Sequence, residues 1–136
     1  MSKGFLWFDE FVALEGDPNL VWYLPVEDYF DVGNNKEGLF TIEYVVSGPA
    51  AASGAGFQLQ TSAAVDDNDD AWRDILTSAV TLSGTTPDYA QFEVGSGAAS
   101  ASTSRLRGRL RFSLTPVSAT DWCSVRVRIW AALQSG

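Results

Sequence analysis

Arginine recurs at every second position in one stretch of the sequence, SRLRGRLRFSL, which spans residues 104–114. In an extended strand, alternate side chains share one face and lie about 6.5–7 Å apart, so four arginines would form a ridge about 20 Å long. Guanidinium groups pair with carboxylates, so the chemistry that such a ridge offers is recognition of an acidic surface. The arginines of this ridge are Arg105, Arg107, Arg109 and Arg111.

Two further arginines, Arg126 and Arg128, alternate in the same way near the end of the chain. If their strand lies close to the first in one sheet, the ridge widens into a patch. Trp122 and Trp130 are in phase with them and suited to cation–π contact. Like charges side by side repel, so this arrangement requires negative charge nearby.

The charge of the chain is divided unevenly. The net charge is -8, with -11 over residues 1–75 and +3 over residues 76–136. Two sources of negative charge for the arginines stay open: the same chain, through Glu43, Glu93 or its acidic first half, or an acidic partner or neighbouring copy. Opposite charges on one chain suit head-to-tail or ring-like assembly. The negative total disfavours nucleic acid as a partner.

The residues available for catalysis are few. Histidine is absent, which removes the usual general base near neutral pH and the commonest protein metal ligand. Cys123 has the inward phase of its strand, so burial is expected rather than nucleophilic chemistry. Carboxylates are abundant but show no spacing typical of a glycoside hydrolase. The sequence therefore predicts a protein that is not an enzyme, without a cofactor.

An acidic run, DDNDD, at residues 66–70 is the strongest candidate for a metal site. Asp66, Asn68 and Asp70 match the alternating oxygen ligands that begin an EF-hand loop. Ala71 then stands where that loop needs glycine, and Thr77 where it needs a bidentate glutamate. The run is therefore interpreted as a solvated turn, a calcium site of another kind being the alternative, and no metal is predicted.

The fold class follows from period-two alternation of apolar side chains. At 136 residues the chain has the length of one domain, 1–136, able to bury a real core. Strands are predicted over 39–48, 56–62, 89–95, 105–114 and 122–134, separated by segments rich in Gly, Pro, Asn and Asp. Such a series of short strands predicts an all-β, antiparallel β-sandwich of jelly-roll type. Residues 70–80 fit either a helical face or an irregular strand, and the strand is favoured.

Aromatic residues are concentrated at the start, where the first thirty residues hold eight of the seventeen. The stretch FLWFDEFVAL is apolar on both faces of a strand, as expected of a strand covered on both sides. Two alternatives stay open: residues 1–14 belong to the core, or they form an N-terminal arm packed on a neighbour. In the second case the contact residues are Phe5, Trp7, Phe8 and Phe11.

The cellular context is predicted from what the chain lacks. No apolar run approaches the ~20 residues of a membrane-spanning helix, and no signal-peptide cleavage site follows the first apolar stretch. A single cysteine fits synthesis in a reducing cytoplasm. No membrane partner is expected.

Three segments together, FQLQTSAAVDDNDDAWRDI, RLRGRLRFSL and VRVRIWAALQ, resemble the small all-β decoration or cement proteins of tailed-bacteriophage heads. The resemblance covers residues 39–134 and is one of pattern: an Asp-rich turn before a Trp, a basic strand and a long final strand. It implies a structural protein of the virion surface. Copies of such a protein would cluster, for example as trimers, and clamp neighbouring subunits of the major capsid protein.

A second resemblance is to carbohydrate-binding sandwich modules, which also place a Trp after an acidic turn. Such a module would expose two or three aromatic side chains in one concave or flat strip and take a glycan as partner. A clamp would instead bury them at subunit contacts. The candidates are Trp7, Trp22, Tyr23, Trp72, Trp122 and Trp130.

Overall fold

The chain folds into ten β-strands over the residues that the computed structural model describes, 4–33, 37–62, 72–75, 78–94, 106 and 108–134. One 3-10 turn, Val26–Asp28, lies between the second and third strands. Among the described residues no helix is long and apolar enough to cross a membrane. The strands are β1 (Gly4–Leu14), β2 (Trp22–Tyr23), β3 (Phe30–Asp31), β4 (Glu37–Ser47), β5 (Ala55–Ser62), β6 (Arg73–Asp74), β7 (Val80–Leu82), β8 (Asp88–Val94), β9 (Arg109–Pro116) and β10 (Cys123–Gln134).

The strands form two sheets that pack face to face. Sheet A has the order β1-β10-β4-β8. In sheet B the short strands β2 and β3 pair with one side of β9, and β6 and β7 pair with the far side of β5. All pairings between these strands are antiparallel, and the chain passes repeatedly from one sheet to the other, which is jelly-roll connectivity. The predicted β-sandwich is confirmed.

The core lies between the inner faces of the two sheets and follows the predicted alternation. On β4, Phe40, Ile42 and Val46 are at most 1% exposed. Burial of alternate apolar side chains from both sheets supplies the main free energy of folding. Phe112 on β9 is the centre of the aromatic packing. Its ring lies 5.1–5.7 Å from those of Trp7, Phe8, Trp22 and Phe57.

The first strand is part of this core. β1 pairs with β10 from Gly4 to Leu14, with a register shift between Leu6 and Phe8. The ring of Phe5 stacks on Phe30 at 4.8 Å, and the indole N–H of Trp7 donates to the Asp28 carbonyl at 2.9 Å. The hypothesis of an N-terminal arm is therefore corrected for residues 4–14, because they form an edge strand of sheet A whose Phe8, Val12 and Leu14 are buried in the sandwich.

The segment predicted as an irregular strand is short and partly outside the described residues. Of residues 70–80, Arg73–Asp74 form β6 and Val80 begins β7, with Ile75 buried between them.

Cys123 is buried as its phase predicts, and burial raises the pKa of its thiol. The protonated thiol is a poor nucleophile, so this side chain serves packing.

Candidate functional site

The sandwich separates the arginines that the sequence analysis grouped. Arg109 and Arg111 lie on β9, in sheet B, whereas Arg126 and Arg128 lie on β10, in sheet A. Each pair points away from the core on its own sheet, so the two pairs occupy opposite outer faces. The condition for one joined patch, that the two strands share a sheet, is therefore not met. Arg105 and Arg107 lie outside the described residues.

The sheet B pair is enclosed by aromatic rings. Arg111 is 4% exposed, and its guanidinium carbon lies 4.5 Å from the ring centre of Tyr23 and 4.4 Å from that of Trp72. Its Nε donates to the Gln60 side-chain oxygen at 2.7 Å. Stacking on two rings suits the planar guanidinium, and a desolvated cation–π contact can contribute about 2 kcal/mol.

Arg109, at the neighbouring outward position of β9, packs against the same group of aromatic rings. Its guanidinium lies 5.6 Å from the ring centre of Tyr29 and 5.5 Å from that of Trp72, and these two rings meet edge to face at 5.0 Å. We call Tyr23, Tyr29, Trp72, Arg109 and Arg111 the arginine stack. Because Trp72 and Arg111 are buried, the stack covers the outer face of sheet B and offers a partner little of either side chain.

The sheet A pair is held by one carboxylate. Asp9 on β1 accepts from Arg126 at 2.6 and 3.0 Å and lies 3.3 Å from the Nε of Arg128. The hydrogen bond from Arg126, with the charges of both arginines, lowers the pKa of Asp9 despite the opposing effect of desolvation. Both arginine side chains remain more than a third exposed, so they stay accessible to solvent and to a partner.

A row of directly opposed side chains crosses all four strands of sheet A. Asp9 is opposite Arg128, Arg128 is opposite Glu43, and Glu43 is opposite Tyr89. Glu43 accepts a hydrogen bond of 2.6 Å from the indole N–H of Trp130. The predicted pairing of Glu43 with the β9 arginines is not observed, because Glu43 faces outward on the other sheet.

The outer face of sheet A exposes several large apolar side chains among its polar residues. The described residues include ten large hydrophobic side chains classed as exposed, and half of them project from this face. Trp122, just before β10, continues the same alternation, and its ring packs against Gly48. These side chains are Leu6, Phe11, Leu39, Tyr89 and Trp130, with Trp122 as the sixth. We call this surface the sheet A face.

A depression of about 400 Å³ lies at the β8 margin of the sheet A face. Val45 and Glu43 contribute to its lining from β4, Tyr89 from β8, and Arg126 and Arg128 from β10. Burial, with a smaller contribution from the Asp88 carboxylate, raises the pKa of the adjoining Tyr44, which therefore remains a neutral hydroxyl.

The predicted contact residues of β1 divide into two groups. Phe8 is buried, and Phe5 and Trp7 are partly buried and pack against the core, so these three side chains contribute mainly to the sandwich. Phe11 is 64% exposed and lies opposite Arg126, whose guanidinium sits 5.2 Å from its ring centre. Arg126 thus meets a phenyl ring at the position where tryptophan was expected.

The aromatic residues proposed for a glycan strip are not on one surface. Trp72 is buried, and Trp7 and Trp22 pack against the core. Tyr23 is exposed on sheet B, whereas Trp122 and Trp130 are exposed on the side of sheet A. Tyr89 is a surface aromatic side chain that was not predicted from the sequence. The alternation of Tyr89, Gln91 and Glu93 against Ala90, Phe92 and Val94 carried that information.

The structure adds no metal candidate among the residues it describes, which contain no group of three or more potential metal ligands. The acidic run at 66–70 lies outside them.

The chain matches no known protein family and no curated protein. Among solved structures, one described as "CBM4 structure and function" is 13% identical, with a TM-score of 0.43, covering 88% of this chain and 71% of that one. The crystal structure of tripeptidyl peptidase 2 (TPP II) is 10% identical, with a TM-score of 0.45. That match covers 97% of this chain but 10% of the peptidase chain. Identities this low carry no function from one protein to another.

Proposed function

We propose that this protein is a non-enzymatic structural protein that self-associates through the sheet A face. We further propose that it is a decoration or cement protein of a virion surface, made in the host cytoplasm, whose clustered copies clamp the major capsid protein. The observation that carries the proposal is the gathering of exposed apolar side chains on one four-stranded face. Large exposed apolar side chains rimmed by polar residues mark an interaction site.

The size of the face agrees with a small specific interface. Trp122 and Trp130 are eight residues apart along an extended chain, about 27 Å, and four strands occupy about 19 Å across. Each copy would therefore contribute about 500 Å² of flat area, and two copies about 1,000 Å², the lower bound for a specific contact. The face is large enough for a second copy.

Charge favours a second copy at this face over other parts of the surface. The chain carries a net charge of -8, so two copies repel at most orientations. On the sheet A face, Arg126 and Arg128 offset the carboxylates of Asp9 and Glu43. Close approach there costs less electrostatic energy. Burial of Phe11, Trp130 and their neighbours would supply affinity, and the charged row would set the orientation.

The experiment is the solution mass by light scattering, over a range of concentrations and at low and high salt. We expect wild type to form a discrete oligomer and Phe11→Ser/Trp130→Ser to raise its dissociation constant at least tenfold, because a few aromatic anchors carry most of the affinity. The control is Leu20→Ser/Val117→Ser, which removes two side chains of 50% exposure outside the strands of sheet A.

Three results would decide against parts of the proposal. A wild-type monomer at all concentrations would remove self-association. Equal weakening in both double variants would show that association does not use the sheet A face. Absence of the chain from purified virus particles by mass spectrometry, despite its expression in the same cells, would remove the virion assignment and leave the self-association result standing.

A further inference from the structure

The depression at the β8 margin has two chemically different walls. Tyr89, 66% exposed, and Pro87 form an apolar wall on the β8 side. Arg126 and Arg128 form the opposite wall, and both lean towards Asp9 on β1 and away from Tyr89. The volume of about 400 Å³ lies within the 300–1,000 Å³ typical of small-ligand sites.

Only some of the polar atoms around the depression form hydrogen bonds or ion pairs among the described residues. Within the part of the chain that the structure describes, Glu43 accepts from the indole N–H of Trp130 only through Oε1, and Asp88 accepts from the Tyr89 backbone N–H only through Oδ1. Arg128 contacts Asp9 through Nε, which leaves its two terminal nitrogens without a protein partner among the described residues. The depression therefore offers two carboxylate acceptors and guanidinium donors together.

This set of groups selects a neutral polyol. An anionic ligand would meet the carboxylates of Glu43 and Asp88, and a cationic ligand would meet both arginines, so each charge is opposed from one wall. A ring with hydroxyls around its edge and C–H groups on its face matches the donors, the acceptors and the Tyr89 ring together. We propose that the depression binds one neutral pyranose residue of a glycan. This function is additional to self-association.

The site shares side chains with the proposed interface between copies. β8 is the outermost strand of sheet A, Pro87 directly precedes it and Asp88 begins it, but Arg126 and Arg128 lie on the internal strand β10. A bound sugar and a second copy would therefore compete for Tyr89 and the two arginines.

The test is titration of the full chain with methyl hexopyranosides of gluco, galacto and manno configuration, followed by protein-detected NMR. We expect saturable binding of at least one of them with a dissociation constant of about 1 mM, a weak affinity that suits an open site. Tyr89→Ala should weaken this binding at least tenfold. Leu20→Ala is the control, since Leu20 is also exposed, at 50%, but lies outside the strands of sheet A and does not line the depression.

A second variant keeps the test informative if Tyr89→Ala disturbs β8. Arg128→Ala leaves β8 unchanged, and it should also weaken binding because donors of the opposite wall are lost. Absence of saturable binding for all three sugars up to about 50 mM, a concentration far above the expected constant, would overturn the proposal. So would equal affinity in wild type and Tyr89→Ala. The light-scattering mass of Tyr89→Ala separates the two hypotheses, because sugar binding can fail while self-association persists.

Discussion

The two outer faces of the sandwich carry the same sequence pattern in different environments. Each carries two arginines at alternate positions of a central strand, β9 in sheet B and β10 in sheet A. Arg111 is buried between two aromatic rings, whereas Arg128 is 40% exposed and held by one carboxylate. An alternating arginine pattern therefore specifies the face of a strand but not whether that face is covered.

The difference lies in what the topology brings over each strand. On sheet B, the short strands β2, β3 and β6 and the residues beside them deliver Tyr23, Tyr29 and Trp72 above β9. On sheet A, β10 is flanked by two long strands, whose outward side chains stand beside its arginines and leave them more than a third exposed. Short edge strands thus cover one face, and long strands leave the other open for contact.

The largest expected effect comes from removing the strand that anchors the open face. Deletion of residues 1–14 takes away Asp9 together with the buried side chains of Phe8, Val12 and Leu14. Each large buried side chain is worth about 2–5 kcal/mol, so their sum approaches the whole stability of a domain. We expect the truncated chain to lack a cooperative thermal transition by circular dichroism. A folded truncated chain would restore the hypothesis of a separate arm.

The second-largest expected effect comes from replacing one arginine on each face with alanine. Arg111→Ala should lower the free energy of unfolding by about 2–4 kcal/mol, because two desolvated cation–π contacts and the hydrogen bond to Gln60 are lost. Arg128→Ala should change it by no more than the error of a urea titration, since exposed ion pairs contribute little. Equal losses of unfolding free energy in the two variants would mean that the arginines of the two faces contribute equally to stability.

The smallest effect concerns pH. The pKa of Asp9 is lowered from its ordinary value of 3.8 by Arg126 and Arg128, so its contribution to stability is complete above that value. It is lost as the pH falls through the lowered pKa. Wild type should therefore exceed Asp9→Asn in stability near neutral pH, and the gap should close in acid and narrow at high salt.

The control for this comparison is Asp121→Asn, which alters an exposed carboxylate in the turn before β10. It should show no gap that closes over the same acid range. A wild-type advantage over Asp9→Asn that is independent of pH would show that the ion pairs are not its source.

Local alternation was enough to predict the strands and their inward faces. Phe40, Ile42, Tyr44 and Val46 line the core as predicted, and Cys123 is buried in its expected phase. The same reasoning could not assign the N-terminal stretch. Phe5, Trp7 and Phe8 read equally as core or as contact residues, because a strand apolar on both faces fits either position until its partners are known.

The sequence by itself determined the all-β sandwich class and the side of each strand on which the arginines lie, because side-chain direction in a strand follows from position alone. The tertiary structure decided which sheet each strand joins. It thereby buried Arg111 under Trp72 and Tyr23, and set Tyr89 opposite Glu43 beside the open pair Arg126 and Arg128. Those environments depend on contacts between residues far apart in the chain, which no local pattern records.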